Sequence, residues 1–274
     1  MVQLWPLLVI AIGGFWLRQP APADWSYGLV AWQAPALGVL LAGVFGLLHA
    51  TSNYLQARVV SFVFRITRNL AGANRFYFSL MRPGVLVHEL AHAMAAALVG
   101  GRILGFNALE TSVTPDGQVR LGQVTYALPG STGRLGFRLK DAFVGLAPLP
   151  FGLLLVGGAL ALSGVDWLGD PAANLGAALG NWRFWVALLA IVEIADHMTP
   201  SRVDRKNWPA ALLFLGVLAV LAWLAARVLP LALPDGWWDT VLQGSVVLVL
   251  ALGVPIGVNL LLGSLFWLLT RLVS

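Results

Sequence analysis

The chain of 274 residues has no cysteine and little charge. Without cysteine, disulfide bonds and thiolate ligands are excluded, so any bound metal must be held by histidine, aspartate or glutamate. Charged residues make up 11% of the sequence and apolar residues 59%, whereas soluble domains carry roughly 25% charged residues. This composition argues against a water-soluble protein and indicates a protein embedded in lipid.

Acidic residues are scarcer than basic ones, 12 against 17, which gives a formal net charge of +5. In a soluble protein this excess could indicate nucleic-acid binding. Here the basic residues lie in segments that flank apolar runs, where they orient a membrane protein and contact anionic lipid. We therefore predict the lipid bilayer as a partner and no nucleic acid.

Long apolar runs recur along the chain. About 20 apolar residues in a helix cross the roughly 30 Å hydrocarbon core. The runs are Leu4–Leu17, Tyr27–Leu48, Ala142–Leu162, Trp182–Ala195, Ala210–Leu229 and Val241–Leu269. With the helix that carries a histidine pair, they predict an all-α polytopic fold of six or seven transmembrane helices. We predict one integral membrane domain, residues 1–274, in a multi-pass protein of a prokaryotic cell membrane.

Two segments differ from these runs. In Asn53–Arg82, five arginines are spaced among large apolar residues, which indicates either a basic amphipathic helix on the membrane surface or a solvated connector. In Arg102–Leu128, β-forming residues alternate with polar ones around Thr114-Pro115-Asp116-Gly117. That pattern predicts a small β-hairpin inserted after the histidine helix.

The strongest chemical signal is His88-Glu89-Leu90-Ala91-His92. Pro83 before it and Gly100-Gly101 after it are typical of a helix start and end. Because His88 and His92 are four residues apart, both imidazoles lie on one helix face and can reach one cation. Glu89 lies about 100° around the helix, where it can act on a water at the metal without binding the metal.

This chemistry fits zinc hydrolysis, because zinc lowers the pKa of a bound water to about 7 and a carboxylate can accept the proton. Within a membrane helix these three side chains cost several kcal/mol unless partnered, which favours a functional role. The alternative is a structural role in which the histidines bond to neighbouring helices and Glu89 pairs with an arginine.

A hydrolytic zinc site needs a third protein ligand and an open position. The candidates in apolar surroundings are Asp141, Glu193, Asp196, His197 and Asp204. The last four flank Pro200, where a helix must break, and a broken helix at membrane depth is tolerated where it lines a wet cavity. The sequence pattern alone leaves all five candidates open.

Taken in order, these motifs resemble the site-2 protease family of intramembrane zinc metalloproteases over roughly residues 83–210. The match comprises the histidine motif, the β-rich insertion, Gly145-Leu146-Ala147-Pro148-Leu149-Pro150 opening the next helix, and Pro200-Ser201-Arg202-Val203-Asp204. The chain departs from the family where Arg205 follows Asp204 in place of the glycine of Leu-Asp-Gly, and where Ala147-Pro148-Leu149-Pro150 replaces the Gly-Pro-x-x-Asn turn.

The resemblance implies a metalloprotease core at about residues 76–230, with Zn2+ held by His88, His92 and Asp204 and with Glu89 as general base. Asp196 remains an alternative ligand, or Asp196 and His197 orient the ligands. The competing interpretation of Asp204 is a solvated residue paired with Arg202 or Arg205. Asp204 and His88 can meet only if both lie at intermediate membrane depth.

The expected function is hydrolysis of peptide bonds in membrane-embedded or membrane-proximal substrates, either membrane proteins or peptides. The hairpin at residues 102–128 could bind an extended substrate by strand addition, or it could be a plain connection. The alternative to proteolysis is a metal transporter or membrane scaffold that uses the same His/Asp cluster to bind metal.

Overall fold

The computed structural model describes residues 28–113, 119–131, 134–166, 171–199, 201, 203–209 and 237–273, with a few isolated positions elsewhere. These residues form eight helices and one antiparallel pair of strands. In chain order they are α1 (Gly28–Thr67), α2 (Leu70–Leu80), α3 (Arg82–Leu98), β1 (Arg102–Val113), β2 (Val119–Ala127), α4 (Leu135–Leu146), α5 (Pro148–Leu162), α6 (Pro171–Leu179), α7 (Trp182–His197) and α8 (Trp237–Leu272). The mostly helical fold and the hairpin are confirmed.

Three helical segments are long and apolar enough to cross a membrane: Ala36–Thr67, Leu135–Leu162 and Gln243–Leu272. The second comprises α4 and α5, which meet at Ala147. The membrane interpretation is supported, whereas the total of six or seven spans remains a prediction. Apart from isolated positions, the predicted runs Leu4–Leu17 and Ala210–Leu229 lie outside the described residues, as does the hairpin turn.

Helix α1 is longer than the predicted run Tyr27–Leu48. It continues to Thr67, because no glycine or proline interrupts residues 49–67. Its hydroxyl groups bond to backbone carbonyls about one turn earlier, as Thr51 does to Leu48 at 3.0 Å. The first half of the basic segment is therefore part of a candidate span, which corrects the prediction of a separate surface helix or connector there.

By its internal contacts the chain divides into two compact units. The first contains α1 and α8, which pack together with the rings of Phe62 and Phe266 5.5 Å apart. The second contains α3, the hairpin and α4. There Ala95 and Ala96 of α3 pack on Val144 of α4, and Tyr126 and Leu128 cover this cluster. The hairpin is thus held against the helix that carries the histidine pair.

We predict that Gly263→Val destabilises the protein by about 1–3 kcal/mol, the usual cost of overpacking. A Cβ atom at Gly263 of α8 would lie 2.5 Å from the Tyr54 ring of α1. Gly257→Val is the matched control on the same helix, since a Cβ there meets nothing within 4 Å. Thermal unfolding in detergent measures both, and equal melting temperatures for the two variants would contradict this packing.

Candidate metal centre

Helix α3 begins and ends where the sequence predicts. Pro83 lies in its first turn, where the missing N–H costs nothing. At its end Gly100 has a φ of +79°, a conformation that favours glycine. The Gly101 N–H donates to the Ala96 carbonyl at 2.8 Å, and strand β1 follows directly.

The two imidazoles of α3 face each other through their Nε2 atoms, which are 3.0 Å apart. Each Nδ1 atom contacts a backbone carbonyl: His88 that of His197 at 2.5 Å, and His92 that of Val144 at 2.8 Å. Because a carbonyl only accepts hydrogen bonds, both Nδ1 atoms carry hydrogen. In neutral rings both Nε2 lone pairs then face each other, an arrangement that suits a shared cation.

The carboxylate of Asp204 completes this group. Its Oδ1 lies 3.2 Å from His92 Nε2, and its Oδ2 lies 3.6 Å from His88 Nε2. Ligands about 2.0–2.1 Å from a tetrahedral ion are about 3.3 Å apart, so these separations match. The donor set therefore fits one metal ion, and His88, His92 and Asp204 form a group that could hold it.

A local motif fixes the Asp204 side chain. The Ser201 N–H donates to Asp204 Oδ2 at 2.6 Å, and the Asp204 N–H donates to Ser201 Oγ at 3.3 Å. This reciprocal pair has the pattern of a capping box. Burial raises the pKa of Asp204, but His88 and His92, when they also carry a proton on Nε2, outweigh burial and hold the pKa of Asp204 well below its usual range. The carboxylate is thus available as an anionic ligand.

Gly145 of α4 lets the backbone of Asp204 approach closely. An added Cβ at Gly145 would collide with the Asp204 carbonyl oxygen. In α5, a Cβ at Gly152 would lie 2.6 Å from Met198 Cβ. The segment that follows α7 therefore needs glycine at both positions.

Glu89 is nearly buried, with 8% of its surface exposed. Its carboxylate accepts a hydrogen bond from the Val124 N–H of strand β2. Gly122 on the same strand has a φ of +55°, and a Cβ there would lie 2.7 Å from Glu89 Cγ. Strand β2 therefore lies directly against the predicted general base.

Asp196, the alternative third ligand, has a different partner. Its Oδ1 accepts a hydrogen bond from Asn259 Nδ2 at 2.7 Å, and it is not a member of the His88, His92 and Asp204 group. His197 contributes to this group through its backbone carbonyl, since that oxygen orients His88.

The sequence leaves open a pairing of Asp204 with Arg202 or Arg205, and only Arg205 is among the described residues. Arg205 directs its Nε to the Ser201 carbonyl at 3.2 Å, while Arg202 lies outside the described residues. The motif Ser-x-x-Asp at residues 201–204 is a sequence signal that the sequence analysis missed. It marks Asp204 as held by its own turn.

No protein-family model, curated protein or solved structure matches this chain. The function must therefore be argued from the chemistry of the site.

We predict that Gly145→Ala weakens metal binding by about 10–100-fold, the usual effect of disturbing a group that orients a ligand. The added methyl group would push Asp204 away while leaving both histidines in place. Gly136→Ala is the matched control on α4, because a Cβ there meets nothing within 4 Å. Competition with a chelator measures the affinity, and equal values for the two variants would contradict the described contact.

Proposed function

We propose that this protein is an intramembrane zinc metalloprotease, similar to the site-2 protease family, which hydrolyses peptide bonds of membrane-embedded or membrane-proximal substrates. One observation carries the proposal: a buried glutamate adjoins a His/His/Asp group whose donor atoms converge. Two imidazoles and one carboxylate are a donor set that suits zinc. A purely structural metal site would need no general base beside it.

The roles follow from the contacts. His88, His92 and Asp204 would hold the ion, and the carbonyls that bind the Nδ1 atoms keep both rings oriented. Bound zinc would polarise the substrate carbonyl and acidify water. Glu89 would accept the proton from the attacking water and return it to the leaving amine. The Val124 N–H holds the Glu89 carboxylate in place.

The depth of the site supports an intramembrane location near one surface. Asp204 lies against Gly145, in the uncharged stretch Ala142–Leu162 of a candidate span. Gly145 is three residues beyond Ala142, about 4.5 Å along the helix at 1.5 Å per residue. Lys140 and Asp141 come just before this stretch. A site at this depth would contact the lipid region and still receive water from the nearby surface.

The hairpin offers a backbone edge for an extended substrate. Because the Val124 N–H donates to Glu89, it points away from β1. In an antiparallel pair, two opposite residues direct their backbone groups either both towards each other or both outwards. Phe106 is opposite Val124, so its N–H points away from β2. Among the described residues β1 has no second strand neighbour. This edge would bind a substrate segment by strand addition.

We predict that Glu89→Gln retains stoichiometric zinc but lowers cleavage by at least about 100-fold, because the proton acceptor is lost while all three ligands remain. Metal analysis of the purified protein measures zinc. Mass spectrometry of a mixture of single-span transmembrane peptides in detergent measures cleavage.

His88→Ala and Asp204→Ala are the matched comparison for Glu89→Gln, and both should lose zinc and activity together. Undiminished cleavage by Glu89→Gln would overturn the assigned role. Zinc flux into vesicles without any hydrolysis would support the transporter alternative instead.

We predict that Phe106→Pro lowers cleavage roughly fivefold, the value of one hydrogen bond, with zinc content unchanged. Proline removes the outward N–H of β1 but no hydrogen bond within the hairpin. Phe106→Ala keeps this N–H and is the control for loss of the side chain. If the proline and alanine variants cleave equally well, this edge does not bind substrate.

A further inference from the structure

One carboxylate joins three elements of the second unit. Asp141 of α4 accepts a hydrogen bond from the Tyr126 hydroxyl of β2 on Oδ1 at 3.0 Å. Its Oδ2 accepts a hydrogen bond from Asn207 Nδ2 at 2.5 Å. Each oxygen thus has its own donor, and Asp141 bridges the hairpin to the segment that follows Asp204.

This segment is short and internally bonded. Asn207 is three residues beyond Asp204, and the backbone turns around them are closed by Arg205 N to Ser201 O at 3.2 Å, Lys206 N to Val203 O at 3.1 Å and Trp208 N to Arg205 O at 3.1 Å. A displacement of Asn207 is therefore transmitted to Asp204. The bridge from Tyr126 through Asp141 to Asn207 ends next to the third ligand of the metal group.

Strand β2 also contacts the other carboxylate of the site. Val124, two residues before Tyr126, donates its N–H to Glu89. Alternate residues of a strand share one face, and Gly122, Val124, Tyr126 and Leu128 are each less exposed than the residues between them. Strand β2 therefore holds Glu89 directly, through the Val124 N–H, and Asp204 indirectly, through Tyr126.

The Tyr126 hydroxyl is a dependable donor. Burial, and then the charge of Asp141, raise the pKa of Tyr126 well above its usual range. The phenol therefore keeps its proton throughout the physiological pH range. Its ring packs on the cluster of Ala95, Ala96 and Val144, and this packing fixes the direction of the hydroxyl.

We propose that the hairpin regulates the metal site, because β2 positions Asp204 through the bridge of Tyr126, Asp141 and Asn207. Coupling between two sites is reciprocal in binding free energy. An extended segment that orders the hairpin would therefore strengthen metal binding, and bound metal would order the hairpin. The regulatory meaning of this coupling rests on the proposed function, whereas the coupling itself requires no proteolysis.

The test measures Zn2+ affinity of the purified full chain by competition with a chelator. Tyr126→Phe should weaken binding about tenfold, within the range for groups that orient metal ligands. The Asp141→Leu variant should also bind zinc more weakly. Adding Tyr126→Phe to that variant should cause no further loss of zinc affinity. Tyr54→Phe removes the same atom from a tyrosine of the first unit, under Arg58, and should match the wild type.

A second measurement does not depend on metal. Hydrogen exchange of the backbone amides at residues 203–208 should become about tenfold faster in Tyr126→Phe than in wild type or Tyr54→Phe, because the segment loses its anchor. Wild-type exchange in Tyr126→Phe would overturn the proposal. So would an equal loss of zinc affinity from Tyr126→Phe with and without Asp141.

These outcomes separate the two proposals. If the wild type binds zinc but cleaves no transmembrane peptide, the protease assignment fails, while the affinity cycle still decides the coupling. If the wild type binds no zinc, the protease assignment fails as well. Hydrogen exchange at residues 203–208 then decides the coupling alone.

Discussion

The site depends on two imidazole nitrogens that face each other at 3.0 Å. Backbone carbonyls bind the opposite nitrogen of each ring, which leaves the facing atoms as lone pairs. Two lone pairs at this distance repel unless a cation or proton lies between them. The carboxylate of Asp204 beside them supplies the negative charge that such a cation needs. The surrounding helices and hairpin therefore hold a geometry that is favourable only with positive charge at its centre.

The second unit maintains this geometry through close backbone approaches. Gly145 and Gly152 leave room for the chain after the end of α7. This close packing places the His197 carbonyl at the His88 ring and the Asp204 carboxylate at both imidazole rings. The same stretch of α4 supplies the Val144 carbonyl to the other ring. The small residues of α4 and α5 thus have a specific role, since larger ones would separate Asp204 from the histidine pair.

Local spacing explains how much of this could be predicted. His88, Glu89 and His92 lie within one turn of a helix, so their geometry follows from helix periodicity alone. The choice between Asp204 and Asp196 depends on the path of the chain after α7, and helix periodicity carries no information about that path. The Tyr126 and Asn207 contacts with Asp141 join residues far apart in sequence, which no local pattern reveals. The end of α1 was misjudged because polar residues after Leu48 resemble a membrane boundary, although hydroxyls such as Thr51 bond within the helix.

The two aspartates on either side of the end of α7 have different partners. Asp196 ends the helical part, is almost fully buried and bonds to a buried Asn259. A hydrogen bond contributes about 0.5–1.5 kcal/mol net, so recruiting Asp196 to a metal would sacrifice this contact. Asp204 lies beyond the end of α7, where its own turn binds it through Ser201 and leaves Oδ1 directed at His92. An aspartate that its own backbone holds can serve as ligand without weakening helix packing, which is a physical reason for Asp204 to be the third ligand.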